Sequence, residues 1–453
     1  MAIQSPEGTR DLLPDEAKFW AHFKAVAADI FGRYGYLPIE TPLFEQTELF
    51  VRGIGEATDV VSKEMFTAIS GQNLQTLLDG GSIKAKSRLS LRPEGTAGVV
   101  RAVVQHDLVP QGAQPAPHGA GEHAGRAERP QKGRQRMFNQ VGIECLGAED
   151  PSVDAEGIIM LMRFYAAIGI PVESTRLLVN SMGCEACRPA YREAVRAFMA
   201  EHAGELCEEC NRRAEINPLR AFDCKNPGCA AVMEGAPKIT DHLCDDCRAH
   251  YEAVKAYLDG AGLAYVEDSK LVRGLDYYTR TVFEVQVTEG MGSQNAIGGG
   301  GRYDKLAQEV GGRPTPGFGW ALGYERCVLA LEAAGRAFPP AARCDFFVAC
   351  VDDSVRAEAF SLVQAMRDAG FAGEMDHQHR SLKSQFKLAD KLDAAQVAVL
   401  GPDELAEGKV KVRNMQTHEE RLADLAATKA LLARLSAEPQ GFEPPSIDEV
   451  FGA

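Results

Sequence analysis

The chain reads as an α/β protein of two or three domains, and three observations predict it. Its 453 residues exceed what one hydrophobic core usually organises. From Cys344 onward, strand-like and helix-like segments alternate, which is the order of a small α/β domain. Between 271 and 326, three segments combine strand-forming residues with glycine, arginine and tyrosine, which suits a sheet that carries a site.

Residues 14–36 place Phe19, Phe23, Val26, Ile30 and Phe31 at helical spacing. The chain turns at 34–36 into YLPIETPLFE, an extended run interrupted by Pro38 and Pro42. SRLSLRPEGTAGVVRAVV (87–104) predicts a strand, a turn at 93–95, and a helix capped by Thr96. Residues 107–125, DLVPQGAQPAPHGAGEHAG, hold Pro, Gly and Ala without an apolar period and read as a loop. Strand character resumes in RMFNQVGIECLG (136–147), a helix covers 154–168, and LLVNSMG (177–183) is a short strand. A mostly helical, cysteine-bearing insert runs to about Gly262, and the strand-rich stretch from Thr281 to Val287 follows. Pro339 and Pro340 mark a linker. Beyond it the order is strand 345–351, helix 354–370, strand 371–376, helix 381–394, strands 395–401 and 409–415, and helix 422–435. Domains are therefore expected at 1–330, interrupted by the insert at 184–262, and at 343–435, with a loose Pro-rich tail at 436–453.

Hydrophobic content of 45% and charged content of 25% are those of a water-soluble globular chain rather than a disordered or membrane-spanning one. No apolar run approaches a membrane span and no apolar segment opens the chain, so a cytoplasmic protein is expected. A net charge of -15 excludes a generally basic nucleic-acid coat. RNA contacts would need local patches, such as Arg380, Lys383, Lys387 and Lys391, although that spacing equally describes a solvated helix face.

Nine of the twelve cysteines lie between Cys145 and Cys247. Four pairs stand out: Cys184/Cys187, Cys207/Cys210, Cys224/Cys229 and Cys244/Cys247. Three are CxxC, a spacing that turns both thiolates toward one metal, and eight thiolates complete two tetrahedral Zn²⁺ sites. Free thiols are the competing reading, since disulfides are disfavoured in the cytoplasm.

The richest stretch is LVRGLDYYTRTVFEV (271–285), where Arg273, Tyr277 and Tyr278 open a strand. A cation and ring hydroxyls at a fixed edge suit a small polar substrate. Taken alone, the same string describes an edge strand with a solvated arginine. The glycine run GGGGRYDKL (298–306) and GFGWALGYER (317–326) follow it closely and favour a site, because glycine lets backbone approach a ligand.

With PEGTRDLLP, ETPLFE, LRPEGTA, RAERPQKGRQRMFNQVGIE and GYER in the same order, the chain resembles the histidyl-tRNA synthetase family of class II aminoacyl-tRNA synthetases over nearly its whole length. The resemblance implies an α+β catalytic domain on an antiparallel sheet and an α/β anticodon-binding domain. It implies activation of histidine by ATP with Mg²⁺ to histidyl-adenylate, then transfer to tRNA(His). Residues 14–45 would build a homodimer interface, with Pro42 at the family's proline. Arg126 would bind the α-phosphate, Arg326 the γ-phosphate end and Arg134 the ATP from its loop, while Arg273 would approach the carboxylate and α-phosphate. Glu144, Tyr278 and Tyr303 match imidazole-facing positions, with Tyr277 beside them, and Glu94, Thr96 and Gln140 match positions that hold the α-amino group. The family's reaction needs no zinc, so zinc in the insert would be structural.

Two other readings share the fold: a histidine-sensing regulatory subunit of histidine biosynthesis, and a synthetase-like RNA sensor without catalysis. The first typically lacks the C-terminal domain and the catalytic arginines, both of which this chain carries. Gly125 departs from the family by standing where an aromatic precedes the arginine of Arg126. A one-nucleotide shift, later restored, would write 107–125 in a GC-rich gene. Made as written, the stretch is expected to hold Arg126 poorly.

Overall fold

A computed structural model describes residues 3–56, 58–109, 116–336 and 344–437, and the chain divides into two units, Met1–Pro339 and Pro340–Ala453. In the first unit eight strands form one sheet in the order Leu37–Pro38, Ala116–Gly125, Met137–Leu146, Gly317–Gly323, Ala296–Arg302, Thr279–Val287, Thr175–Ser181 and Val266–Glu267. The six long strands pair antiparallel, and only the two-residue edge strands pair parallel.

The strand period of two splits the sheet into two faces. In Thr279–Val287, Phe283, Val285 and Val287 enter one core, while Val282 joins the other. The first core is covered by the helices Pro14–Arg33, Pro151–Ala167 and Tyr324–Ala333. Aromatic edges interlock there, with Phe23 and Phe164 centroids 4.9 Å apart at 83°. The second core takes Thr47–Ile54 and Thr96–His106, together with Tyr277, Tyr278 and Tyr303. That face carries the predicted site residues.

Three sequence expectations are corrected. Residues 116–125 are a strand, not a loop: Ala116–Gly125 pairs residue by residue with Met137–Leu146. Backbone pairing asks for no particular side chain, and without this partner the buried neighbouring strand would leave its N–H and C=O groups unmet. Residues 110–115 lie outside the described residues. Thr96 does not cap the helix it opens. The Glu94 carboxylate does, accepting from the amides of Thr96 at 2.8 Å and Ala97 at 3.0 Å. In the second unit, Glu420–Asp424 is a strand and the last helix starts only at Leu425. Asp424 accepts from the Ala427 amide at 2.8 Å and so marks that start.

The second unit holds a five-stranded sheet in the order Gly373–Met375, Phe346–Cys350, Gln396–Leu400, Lys409–Asn414 and Glu420–Asp424, parallel for the first three and antiparallel for the rest. Arg356–Asp368, Leu382–Lys391 and Leu425–Ser436 complete it. Arg380, Lys383, Lys387 and Lys391 are all exposed. The linker prolines and the residues after 437 lie outside the described residues.

The insert comprises the helices Arg188–Glu201, Glu208–Ile216, Pro227–Met233 and Asp245–Gly260. The last returns to Pro151–Ala167, where the fully buried Asp154 accepts from Arg302 and from His250 Nε2 at 2.8 Å. Burial pushes the Asp154 carboxyl up, but His250 and Arg302 outweigh it and hold the group below the usual carboxylate range.

Candidate active site

A cavity of about 290 Å³ opens over the sheet and is walled by four arginines: Arg126, Arg134, Arg273 and Arg326. Each comes from a different stretch and is held by its own partners. Arg126 follows the strand Ala116–Gly125, donates from Nε to the Pro93 carbonyl at 2.9 Å, and lies over the Phe138 ring. The expectation of a poorly held Arg126 is thus corrected: its grip comes from Pro93 and Phe138, outside 107–125. Arg134 sits in the turn after it and pairs with Glu128 and, at 3.5 Å, Glu64. Arg326 opens the helix Tyr324–Ala333 and donates to the carbonyls of Gly133 at 2.9 Å and Ala296 at 2.7 Å, and to Gln294 Oε1 at 2.9 Å. That helix is tied to the sheet by Glu325, which accepts from the Asn139 amide and side chain.

Arg273 donates to Glu284 at 2.7 Å and lies over the Tyr278 ring. Its buried Nε has no hydrogen-bond partner among the described residues. A buried guanidinium N–H without an acceptor is costly unless a ligand supplies one. Gly299 makes room for it: a Cβ there would stand 2.9 Å from the Arg273 guanidinium and 2.6 Å from the Phe283 carbonyl. Burial, helped by the charges of Arg134, Arg126 and Arg273, depresses the Arg326 pKa, and burial does the same for Arg126. Four arginines thus crowd one cavity, three of them paired with Glu64, Glu128 or Glu284.

Beside the cavity runs a buried polar chain. Tyr303 donates to Glu144, Thr96 Oγ1 donates to the other Glu144 oxygen at 2.5 Å, and Tyr277 reaches Glu94 at 3.4 Å. Tyr277 and Tyr278 rings stand 4.7 Å apart, and Tyr278 carries the contact on to Arg273. Glu144 depends on a missing side chain opposite: it pairs in register with Gly319, where any Cβ would collide with its carboxylate. Burial, with the neighbouring Glu144 charge, raises the Tyr303 pKa well above its ordinary value, so the phenol stays a donor. Burial likewise raises Glu94, against the two backbone amides that favour its charge.

All eleven sequence-predicted substrate residues therefore fall in one region. Gln140 and the four arginines line the cavity, while Glu94, Thr96, Glu144, Tyr277, Tyr278 and Tyr303 form the polar chain beside it. The eight cysteines gather elsewhere, in two clusters within the insert. Further wall residues escaped the sequence reading: Phe138, Glu128, Glu284 and Gln294. Period-two spacing puts Phe138 on the face of Gln140 and Glu144, so that signal was available. Gln294 had none.

The family model for histidyl-tRNA synthetase matches residues 8–327, and that for the anticodon binding domain matches 345–435. The histidine--tRNA ligase of Moorella thermoacetica is 43% identical over 427 residues, covering 94% of this chain and 97% of its own. That of Anaeromyxobacter dehalogenans is 43% identical over 430 residues, with 94% and 99% covered. The crystal structure of apo S. aureus histidyl-tRNA synthetase superposes with a TM-score of 0.77 at 34% identity, covering 96% of this chain and 100% of that one. With both family models matched in their order and relatives aligned across nearly its full length, the chain belongs to the histidyl-tRNA synthetase family of class II aminoacyl-tRNA synthetases.

Proposed function

We propose that this chain is a histidine--tRNA ligase: it activates histidine with ATP to histidyl-adenylate and pyrophosphate, then transfers the histidyl group to tRNA(His). Family membership supports the reaction, and the observation that carries its mechanism is the buried Arg273 Nε at the cavity wall, without a hydrogen-bond partner among the described residues. Attack of the histidine carboxylate on the α-phosphorus forms the acyl-phosphate bond and breaks the α–β phosphoanhydride, releasing pyrophosphate. The step needs alignment and neutralised charge rather than a covalent enzyme intermediate. Arg273 approaches both the carboxylate and the α-phosphate. Arg126 binds the α-phosphate, with Arg134 and Arg326 on the outer phosphates.

Glu144 with Tyr303 and Tyr278 reads the imidazole N–H groups, with Tyr277 alongside, and Glu94, Thr96 and Gln140 hold the ammonium. A buried hydrogen-bonding site of this kind rejects side chains that leave its groups unmet. Mg²⁺ neutralises the ATP phosphates when bound. Glu128 and Glu284, on the cavity wall, are oxygen donors of the kind it accepts.

Histidine-dependent ATP–pyrophosphate exchange tests the reading, and equal exchange with several other amino acids would end it. The regulatory-subunit and RNA-sensor readings are not favoured, because the chain keeps its four arginines and a matched anticodon-binding domain. Removing 343–453 is expected to impair tRNA charging more than exchange, and unchanged charging would remove RNA binding from that unit. A homodimer is supported by exposed Leu37, Leu43 and Phe44, and light scattering of the intact protein measures it. Among the described residues no helix is long and apolar enough to cross a membrane. We place the enzyme in the cytoplasm, where its tRNA substrate is used.

A further inference from the structure

The eight cysteines of the insert fold into two tetrads that are nested, not consecutive. Cys184, Cys187, Cys244 and Cys247 gather at its base, and Cys207, Cys210, Cys224 and Cys229 gather within it; in each, all four Sγ atoms lie within 4.8 Å of one another. We propose that each tetrad holds one structural Zn²⁺, and that the outer ion fixes the base of the insert against the wall of the histidine site. The second clause rests on the function proposed above; the first does not.

Distances separate the ion from a disulfide. Four thiolates about 2.3 Å from a tetrahedral Zn²⁺ lie about 3.8 Å from each other, whereas a disulfide needs about 2.05 Å. The sulfurs of Cys184 and Cys187 are 3.6 Å apart, those of Cys184 and Cys244 3.8 Å, and those of Cys207 and Cys224 3.9 Å. Backbone amides point at two sulfurs, from Cys207 to Cys229 at 3.1 Å and from Cys244 to Cys187 at 3.2 Å. Such N–H donors stabilise thiolate ligands. Two members of each tetrad are buried and two partly buried, and each set is all sulfur, which describes a closed structural site rather than an open catalytic one.

Two short helices of the insert add little apolar burial around the inner tetrad. Glu208–Ile216 buries only Cys210, and Pro227–Met233 buries only Cys229 and Met233. A metal held by Cys207, Cys210, Cys224 and Cys229 would tie these two helices together. Each cysteine binds as thiolate, so loading releases the thiol protons to solvent.

The outer tetrad begins just after the strand Thr175–Ser181. There Met182 donates its amide to the Arg280 carbonyl at 2.6 Å, and Arg280 donates to Gly183 at 2.9 Å. Arg188, one residue past Cys187, donates to the Met182 carbonyl at 3.2 Å and to the Tyr278 carbonyl. The outer ion therefore braces the backbone of a residue in the histidine network.

Elemental analysis of the full chain, purified without added metal, is expected to find about two zinc per chain. Fewer than about one, with all cysteines reacting as free thiols in the native protein, would overturn the assignment. Replacing Cys184, Cys187, Cys244 and Cys247 by Ser should leave one zinc, and so should replacing Cys207, Cys210, Cys224 and Cys229. Consecutive pairing would leave none in either variant and would overturn the nesting. Should a variant not fold, Co²⁺ reconstitution of the wild-type chain reads the same chemistry through the absorption of tetrahedral thiolate cobalt; octahedral spectra would refute it. The outer variant should raise the histidine KM and the inner one should not, and equal KM values would refute the brace. Two zinc per chain without histidine-dependent exchange would uphold the metal sites and reject the proposed enzyme.

Discussion

The histidine network and the cysteine insert are both clusters of polar side chains drawn from distant sequence, yet they are completed in opposite ways. Around Glu144 the protein supplies the partners: Tyr303 and Thr96 donate to its carboxylate across 159 and 48 residues. Partners of this kind, held within the protein, are what the proposed selection of histidine requires. In the insert the converging side chains are all sulfur, with the backbone amides of Cys207 and Cys244 aimed at two of them. Four converging sulfurs repel one another as thiolates and need a cation at their centre. One cluster is preorganised by hydrogen bonds among the described residues, and the other would be completed by the proposed ion. Between them stands the buried Arg302–Asp154–His250 set, which joins the catalytic sheet to the returning helix of the insert.

The largest expected effect comes from cutting that joint. Asp154→Ala strands the buried Arg302 and should cost about 3–5 kcal/mol of stability in denaturant unfolding. Because the folded-state carboxyl is held below its usual range, its contribution is present above about pH 4 and is lost as pH falls through the depressed value. A wild-type acid-unfolding midpoint in the variant would separate the two regions again.

Arg273→Ala should lower histidine-dependent exchange by about 10²–10³ while the melting temperature holds, since it removes charge stabilisation at the reacting carboxylate. Wild-type exchange would show that the arginine cavity works without it. Tyr303→Phe takes one donor from buried Glu144 and should weaken histidine binding by about 1–3 kcal/mol with little change for ATP. Equal loss for both ligands would mean that the network supports the cavity generally rather than reading the imidazole.

The smallest change tests the unusual strand. At Gly125 an added Cβ meets Leu91 at 3.6 Å and the Arg136 carbonyl at 3.7 Å, ordinary contacts. Gly125→Ala should therefore stabilise by roughly 0.5–1 kcal/mol. A drop in melting temperature would mean that the strand's poor composition is matched to its surroundings. Mass spectrometry across 107–125 tests the frame slip directly: the peptide as written in a fully active enzyme would dismiss it.

Much of the site was legible because its chemistry is written in residue types that rarely cluster without cause. Arg273 beside Tyr277 and Tyr278, and the glycines that follow, pointed to a ligand before any geometry. The alternation after Cys344 marked the second unit, although the strand Glu420–Asp424 was absorbed into the helix that follows it. Its residues ERLAD, exposed except for Ala423, lack a strand's apolar alternation, and pairing with Lys409–Asn414 makes it one. Phe138 was legible by period two and passed over, while Gln294 enters the wall from the short 3-10 helix Gly292–Gln294, which has no pattern of its own.

By itself the sequence determined the inventory: which cations, carboxylates, phenols and thiols the chain owns, and their local spacing on strand, helix or turn. Tertiary structure decided which of them meet. It turned a Gly- and Ala-rich stretch into a ten-residue strand next to the sheet edge, because the neighbouring backbone needed hydrogen-bond partners whatever the side chains. It gave the helix cap to Glu94 instead of Thr96. It matched Cys184 with Cys244 across 60 residues instead of with the next pair along. Spacing acts within a turn or two of chain, whereas these pairings are set by burial and by the demand that buried polar groups find partners, and both are properties of the whole fold.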